Sequence, residues 1–402
     1  MVLTISVLTM NVWGIPFISA DKDIRIEKIS EHLVTSEYDV ISLQEVWSEY
    51  DFQKIRDKLS KKYPYAHYFY SGVFGSGLCV FSKHQIISVF FHHWALNGYV
   101  HKIQHADWFG GKGVGLCRLK VNDKIVNFYT AHLHAEYDKL RDDYVTHRII
   151  QAFDTAQFLE NTRGNCSLQI LAGDLNTEPN DLAYRILLSV SGMKDSFVQN
   201  TEVQPYFATS DYINNSYTKV KNANGKEGVR IDYVLYREGN DSVSNVEKYE
   251  MPLLEKIPDY NISYSDHEAV HAKIIIIPKK ENELFSSGVD QILTIQNNIK
   301  NLKECIATCN QSLKTIESHR CSYSLMAIGL LVILLNILEI SPSYGFKTVY
   351  LIIKFLIISL ILFLIFMATI WNVMEKHGIL SGKLAMQITL KNSEIIMENI
   401  NN

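Results

Sequence analysis

Two apolar segments, separated by a short turn, restrict what this chain can fold into more than any other feature. Ser322–Ile340 (SYSLMAIGLLVILLNILEI) holds only Asn336 and Glu339 as strongly polar residues. Phe346–Trp371 (FKTVYLIIKFLIISLILFLIFMATIW) is longer, with Lys347 near its start and Lys354 inside it. A helix of about 20 apolar residues crosses the ~30 Å hydrocarbon core of a bilayer. Two such segments joined by SPSYG therefore predict a membrane hairpin rather than soluble core helices. A hairpin puts both flanks on one side. Lys314 and Arg320 precede the first span, and Lys376 and Lys383 follow the second, whereas the turn has neither Lys nor Arg. Positive-inside bias then predicts a cytosolic N-terminal part. The membrane is expected to be the endoplasmic reticulum or another endomembrane, with the plasma membrane as the alternative. Lys354 is expected to snorkel or to face the other helix.

Upstream of the hairpin, residues 1–278 are long enough for one large domain. The chain has 402 residues, 47% hydrophobic and 20% charged, which suits a folded protein. Its net charge is −4 and no Lys/Arg stripe is present, which argues against nucleic acid as a partner. Six cysteines at 79, 117, 166, 305, 309 and 321 form no C-x-x-C pair. Neither a disulfide framework nor a zinc site is expected, and a reducing compartment fits. The start, MVLTISVLTMNVWG, lacks a basic n-region and alternates like a strand, so no signal peptide is expected.

Periodicity predicts strands at Thr4–Asn11, Val40–Gln44, Gly77–Phe81, Gly113–Val121, Lys124–His132, Leu168–Asp174, Ile231–Tyr236 and Ala269–Ile277. Helices are predicted at Ile24–Thr35, Glu49–Lys61, Leu140–Leu159 and Asp181–Val190. Several strands follow one another directly, as at Asn122-Asp123, which favours an α+β layered domain with much antiparallel pairing. Beyond PKK at 278–280 the pattern changes. Residues 279–320 read as an amphipathic linker helix whose apolar stripe runs from Val289 to Ile316, and 372–402 as an amphipathic cytosolic tail. These two helices are expected to pack on each other, with a homodimer through 289–316 as the alternative.

Four polar clusters stand where predicted strands end: Asn11 in LTMNVWG, Glu45 in VISLQEVW, Asp174 with Asn176 in LAGDLN, and Asp266-His267 in YSDHEAV. Each alone suits a turn, but four in one domain suit a site, because rigid sheets present side chains at their strand ends. In this order, Asn, Q-E-V, T-x-H, G-D-L-N, D-Y-V and S-D-H resemble the endonuclease/exonuclease/phosphatase superfamily. That resemblance implies Mg²⁺-dependent phosphoester cleavage on a four-layered αββα sandwich. SGVFGSGLCVFSKHQI (71–86), IQHADWFGGKGVGL (103–116) and TAHLHAEY (130–137), with the C-terminal hairpin, are more specifically similar to neutral sphingomyelinases. The substrate so implied is membrane sphingomyelin, cleaved to ceramide and phosphocholine.

The residues themselves agree with such chemistry. Phosphodiester hydrolysis needs charge neutralisation, an aligned water and a base. Mg²⁺ takes a hard carboxylate and keeps several waters. Glu45 suits the ligand role with Asn11 beside it, and Mn²⁺ would be a substitute. His267 is the candidate general base. Asp232 in VRIDYVLY matches the family residue that orients it, whereas Asp266, on the opposite side of an extended chain, is expected to support metal or water. Asn176 is expected to hydrogen-bond the phosphoryl oxygen; Asp174 either positions the water or serves the leaving alkoxide. His132 rather than His134 matches a histidine that stabilises transition-state charge. Asp107 and Lys112 flank WFGGK, a mobile-loop pattern, and are expected either to exchange partners on activation, as the resemblance implies, or to form a plain surface ion pair. The aromatic run YPYAHYFYSGVFG is expected mainly to pack in the core, or else to face lipid or choline. An anionic lipid is a candidate activator. Rival readings are a phospholipase C acting on lysophosphatidylcholine-type lipids, a nuclease or inositol-phosphate phosphatase, and an inactive membrane adapter.

Overall fold

The computed structural model of the chain describes residues 2–105, 107–139, 141–202, 206–219, 228–240, 242–278, 288–340 and 344–401. Two compact units are present, Met1–Asn301 with Ser393–Asn402, and Leu302–Asn392. The first unit runs β1 (Leu3–Asn11), α1 (Lys22–Thr35), β2 (Val40–Gln44), α2 (Glu49–Leu59), β3 (Tyr65–Tyr68), β4 (Cys79–Ser82) and β5 (Gln85–His93). It continues with α3 (Asp107–Gly110), β6 (Gly113–Val121), β7 (Lys124–His132), α4 (Val145–Thr162), β8 (Leu168–Asp174) and α5 (Leu182–Ser191). The last elements are β9 (Lys194–Asp195), α6 (Ser196–Gln199), β10 (Asp232–Glu238), β11 (Ser242–Glu250) and β12 (Val270–Pro278).

The strands form two six-stranded mixed sheets, ordered β11-β12-β1-β2-β4-β3 and β5-β6-β7-β8-β10-β9. Period-two alternation sorts their side chains. Ile5 and Val7 of β1 join Val80, Phe128, Ile170 and Val234 in the core between the sheets. Leu8 and Met10, on the other face of β1, pack with Ile26, Ile29 and Leu33 of α1 and Phe52 and Ile55 of α2. Phe158 of α4 covers the outer face of the second sheet, edge-on to Tyr129. Helix, sheet, sheet and helix therefore make the expected four layers. Ser42 Oγ meets Thr130 Oγ1 at 2.7 Å, bonding one sheet to the other in a buried setting. Gln44 continues this polar ladder through its bonds to Ser42 and Thr9.

All eight strands read from the sequence are present, although the one expected at 77–81 starts only at Cys79. Gly77 has φ +70°, a left-handed turn that precedes pairing. Among the described residues, the strands that the pattern missed, β3, β5, β9 and β11, are the sheet edges. The helix expected from Leu140 begins at Val145; position 140 itself lies outside the described residues.

Linker and first span form one helix, α7 (Gly288–Leu338), with no break near 320. Residues 279–287 and most of the expected SPSYG turn, 341–343, lie outside the described residues. The second apolar helix is α8 (Lys347–Phe366), followed by a π-helical turn at Met367–Trp371 and then α9 (Asn372–Asn401). The most apolar stretches have mean hydropathies of 2.2 and 3.0 and are only 11% and 22% buried, so both helices are long and apolar enough to cross a membrane. Within the second unit α7 and α9 meet, as expected: Asn372 Nδ2 donates to Ile316 O at 2.8 Å, and Cys305, Cys309, Ile379 and Met386 are buried. Lys354 Nζ lies 5.7 Å above the ring of Tyr350, one turn earlier on the same helix.

Candidate active site

Strand register gathers the polar clusters at one end of both sheets. In the second sheet His132 pairs with Asp174, and Asp174 with Asp232. In the first, Asn11 pairs with Gln44, so Glu45 follows directly. Glu45 has φ +58°, a left-handed bend that ends the strand and turns its carboxylate toward Asn11. Ser265 Oγ donates to Asn11 O at 2.7 Å and ties the Asp266-His267 segment to the end of β1.

Three of these residues form a relay. His267 Nδ1 lies 2.9 Å from Asp232 Oδ2, and its Nε2 faces Asp174 Oδ2 at 3.9 Å. Burial disfavours a charged imidazole, but Asp232, Asp174 and Asp266 together raise the His267 pKa well above its ordinary value. The isolated chain thus favours imidazolium, where the sequence suggested a neutral ring. Burial, and then the neighbouring Asp232, raise Asp174 to about 6. Asn176 also has a left-handed backbone, φ +44°, instead of the extended one assumed from its spacing. Its backbone N–H donates to Asp174 Oδ1 at 2.9 Å, while Nδ2 donates to Leu133 O at 3.0 Å.

Asn11 Nδ2 bridges two carboxylates, donating to Glu45 Oε1 and Asp174 Oδ2, each at 3.0 Å. Among the described residues, Glu45 Oε2 is buried without a hydrogen-bond partner. Burial, followed by the charge of Asp266, raises Glu45 to about 7. A buried carboxylate with a spare oxygen and an anionic neighbour suits a divalent cation. Asp174, Asp232 and His267 also place ligand atoms within 4.8 Å of one another. The His267–Asp232 hydrogen bond accounts for that closeness and commits Nδ1, so Glu45 is the better anchor.

His132 belongs to this cluster. Its Nε2 lies 3.3 Å from Lys112 Nζ, 3.5 Å from Asp174 and 3.9 Å from Glu45. Burial and then Lys112 push its pKa well below the ordinary value, so it is neutral. His134, two residues past it, points elsewhere: it stacks on Tyr144 at 3.8 Å and faces Asp107 at 3.6 Å. Asp107 and Lys112 are not a surface pair. Their 2.5 Å ion pair is buried, with side chains 7% and 2% exposed. Lys112 also donates to Leu133 O, and Tyr137 to Asp107, so the pair forms a closed latch beside His132.

The sequence reading missed Arg25, which is wholly buried. It donates to Val12 O and Trp13 O at 2.7 and 2.8 Å and so fixes the chain that leaves Asn11. The signal was there: Arg25, Ile29 and Leu33 fall on one helical stripe, an odd place for an unpaired charge. Also missed was a cavity of about 750 Å³ with Glu45, His132 and Lys112 among its lining residues. Trp47 and Phe109 supply part of its apolar wall. The aromatic run divides: Tyr63, Tyr68 and Phe69 are core residues, while Tyr70, Val73 and Phe74 are exposed.

The endonuclease/exonuclease/phosphatase family model matches residues 8–267. A Drosophila melanogaster protein named "Putative neutral sphingomyelinase" is 40% identical over 440 residues, covering 98% of both chains. Sphingomyelin phosphodiesterase 2 of Homo sapiens is 38% identical over 294 residues, covering 71% of this chain and 68% of its own. Among solved structures, a Staphylococcus aureus beta toxin mutant with bound magnesium ions superposes with a TM-score of 0.52. That match has 16% identity and covers 67% of this chain and 99% of the toxin.

Proposed function

Because this chain belongs to the endonuclease/exonuclease/phosphatase family, we propose that it is a membrane-anchored, Mg²⁺-dependent phospholipase C that hydrolyses sphingomyelin to ceramide and phosphocholine. The observation that carries the mechanism is the order Asp232–His267–Asp174, with Asn11 and Glu45 completing the cluster. Relatives named for sphingomyelin cleavage carry the substrate.

In this reading a water attacks phosphorus and the bond to the ceramide oxygen breaks. His267 Nε2 takes the water proton while Asp232 holds Nδ1 and the ring's tautomer. Asp174, facing Nε2, positions the water. The ceramide oxygen takes a proton from solvent as it leaves, and His267 then releases the water's proton to solvent, so protons balance overall. His132, neutral, donates to a phosphoryl oxygen, and Asn176 has a second N–H for the same purpose. Glu45, with Asn11 beside it, would hold a divalent cation, which would supply charge for the phosphoryl oxygens and offset the carboxylates around His267. Asp266 supports that side. Lys112, latched to Asp107, is placed to reach the phosphate when the latch opens, which would make this loop the point of regulation. In this reading both apolar helices cross the bilayer, and the flanking Lys and Arg support a cytosolic first unit.

The test is phosphocholine release from sphingomyelin in mixed micelles, with Mg²⁺ or chelator, for the wild type and His267→Ala. The reading requires activity that is lost in both controls; release that survives both would overturn it. A preference for lysophosphatidylcholine would keep the chemistry but change the lipid.

A further inference from the structure

The cavity that reaches Glu45 and His132 opens through a rim that core packing does not explain. Phe17, Ile18, Val73, Phe74 and Ile103 line the same cavity as Glu45 and His132. Yet these five side chains are 107%, 73%, 75%, 55% and 70% exposed. They come from three separate loops and carry no charge. Phe17 also has φ +66°, a left-handed backbone that a bulky residue rarely adopts, and it projects fully into solvent. The second loop is not frayed: Val73 N and Phe74 N both donate to Phe109 O, at 2.7 and 3.3 Å. Ser71 Oγ donates to Gly111 O at 2.5 Å. Exposed apolar side chains around a cavity mouth, one pair of them on a loop pinned by backbone hydrogen bonds, mark a surface that something apolar covers. The chain brings a candidate of its own, since it carries two helices long and apolar enough for a bilayer.

We propose that this rim is a lipid-docking collar, which sinks into the leaflet so that a substrate's headgroup reaches the cavity floor while its tails stay in the apolar phase. The substrate's identity rests on the sphingolipid reading; the docking does not. Docking is tested first without substrate. Full-length chain carrying Phe17→Trp is reconstituted in phosphatidylcholine vesicles that lack sphingomyelin. The emission added to that of the wild type's five tryptophans is then challenged with lipids brominated on their acyl chains. The collar requires strong quenching. Added emission that bromolipids leave intact and aqueous iodide quenches means that the rim faces water or another partner, and overturns the proposal.

A second arm compares hydrolysis of sphingomyelin in vesicles with that of a short-chain analogue kept monomeric. For the Phe17→Ser/Phe74→Ser double variant, the vesicle-to-monomer rate ratio should fall by about tenfold or more, from the apolar area withdrawn from lipid. An equal fall on both substrates overturns the collar. A wild type that cleaves neither substrate refutes the sphingolipid reading, while the quenching experiment still decides the docking.

Discussion

Replacing Asp232 with Asn tests the relay at its most buried point. Asp232 is 0% exposed and its Oδ2 lies 2.9 Å from His267 Nδ1. The amide has nearly the same volume, so no cavity opens and the change is electrostatic. Two unit charges at this distance attract by about 6 kcal/mol at an effective dielectric of ~20. Desolvation offsets most of this, and hydrogen bonds to charged groups contribute ~1.5–3 kcal/mol net. At ~1.4 kcal/mol per pKa unit, His267 should drop by about one to two units. The acidic limb of the kcat/KM–pH profile should move down by the same amount. The plateau should fall by about 10²–10⁴-fold, as for loss of an oriented base. The Mg²⁺ requirement should hardly change, because Glu45 is untouched. Phosphocholine release in mixed micelles with saturating Mg²⁺, from about pH 5 to pH 9, reads all three. A reduced plateau with an unmoved acidic limb would refute the assignment, since the limb would then belong to another group.

Metal-free stability should fall as pH rises above about 7. Glu45 and Asp174 bind protons more tightly when folded, at about 7 and about 6, so their contribution is lost as pH climbs from about 4 through those values. His267 acts in the same direction: its contribution is complete below ~6.5 and is lost through its raised folded pKa. Buried histidines with lowered pKa, His132, His134 and His147 among them, act oppositely up to ~6.5, so in chelator Tm should fall above about pH 7 and recover with Mg²⁺; a Tm still rising there would contradict this. Lys112→Met leaves Asp107 buried without its cation and should cost ~3–5 kcal/mol, read as a lower unfolding midpoint; adding Asp107→Leu should restore much of it. Gly14→Ala places a Cβ 2.5 Å from Glu45 O. The Mg²⁺ concentration for half-maximal activity should then rise by about tenfold or more, with a smaller effect on saturated turnover.

What the sequence conveyed has a physical boundary. The eight strands legible from periodicity are all interior strands, covered or paired on both sides, where alternation and apolar runs are strongest. The missed β5 and β11 are sheet edges with several exposed positions, so packing leaves a weaker imprint on their sequences. Site residues at strand ends were legible for the same reason, since each borders a strong apolar run. Their grouping was not. Asn11's bridge to both Glu45 and Asp174 spans 34 and 163 residues, and only register reveals it. The left-handed turn at Glu45 was equally hidden, because Glu does not announce a positive φ, whereas Asn176 is of a type that often adopts one.

Chain order within the two sheets sets a schedule for synthesis. The second sheet is contiguous, using β5 to β10, while the first is split, with β1 awaiting β12 through the pairing of Leu3 with Ile276. At ~5–20 residues per second the ribosome needs on the order of 10–50 s to deliver that partner. During that time one edge of a very apolar strand stays open, a natural substrate for a holding chaperone. Asp266 and His267 emerge just ahead of β12, so hydrolytic competence arrives among the last events in making this domain, close to the emergence of the apolar helices.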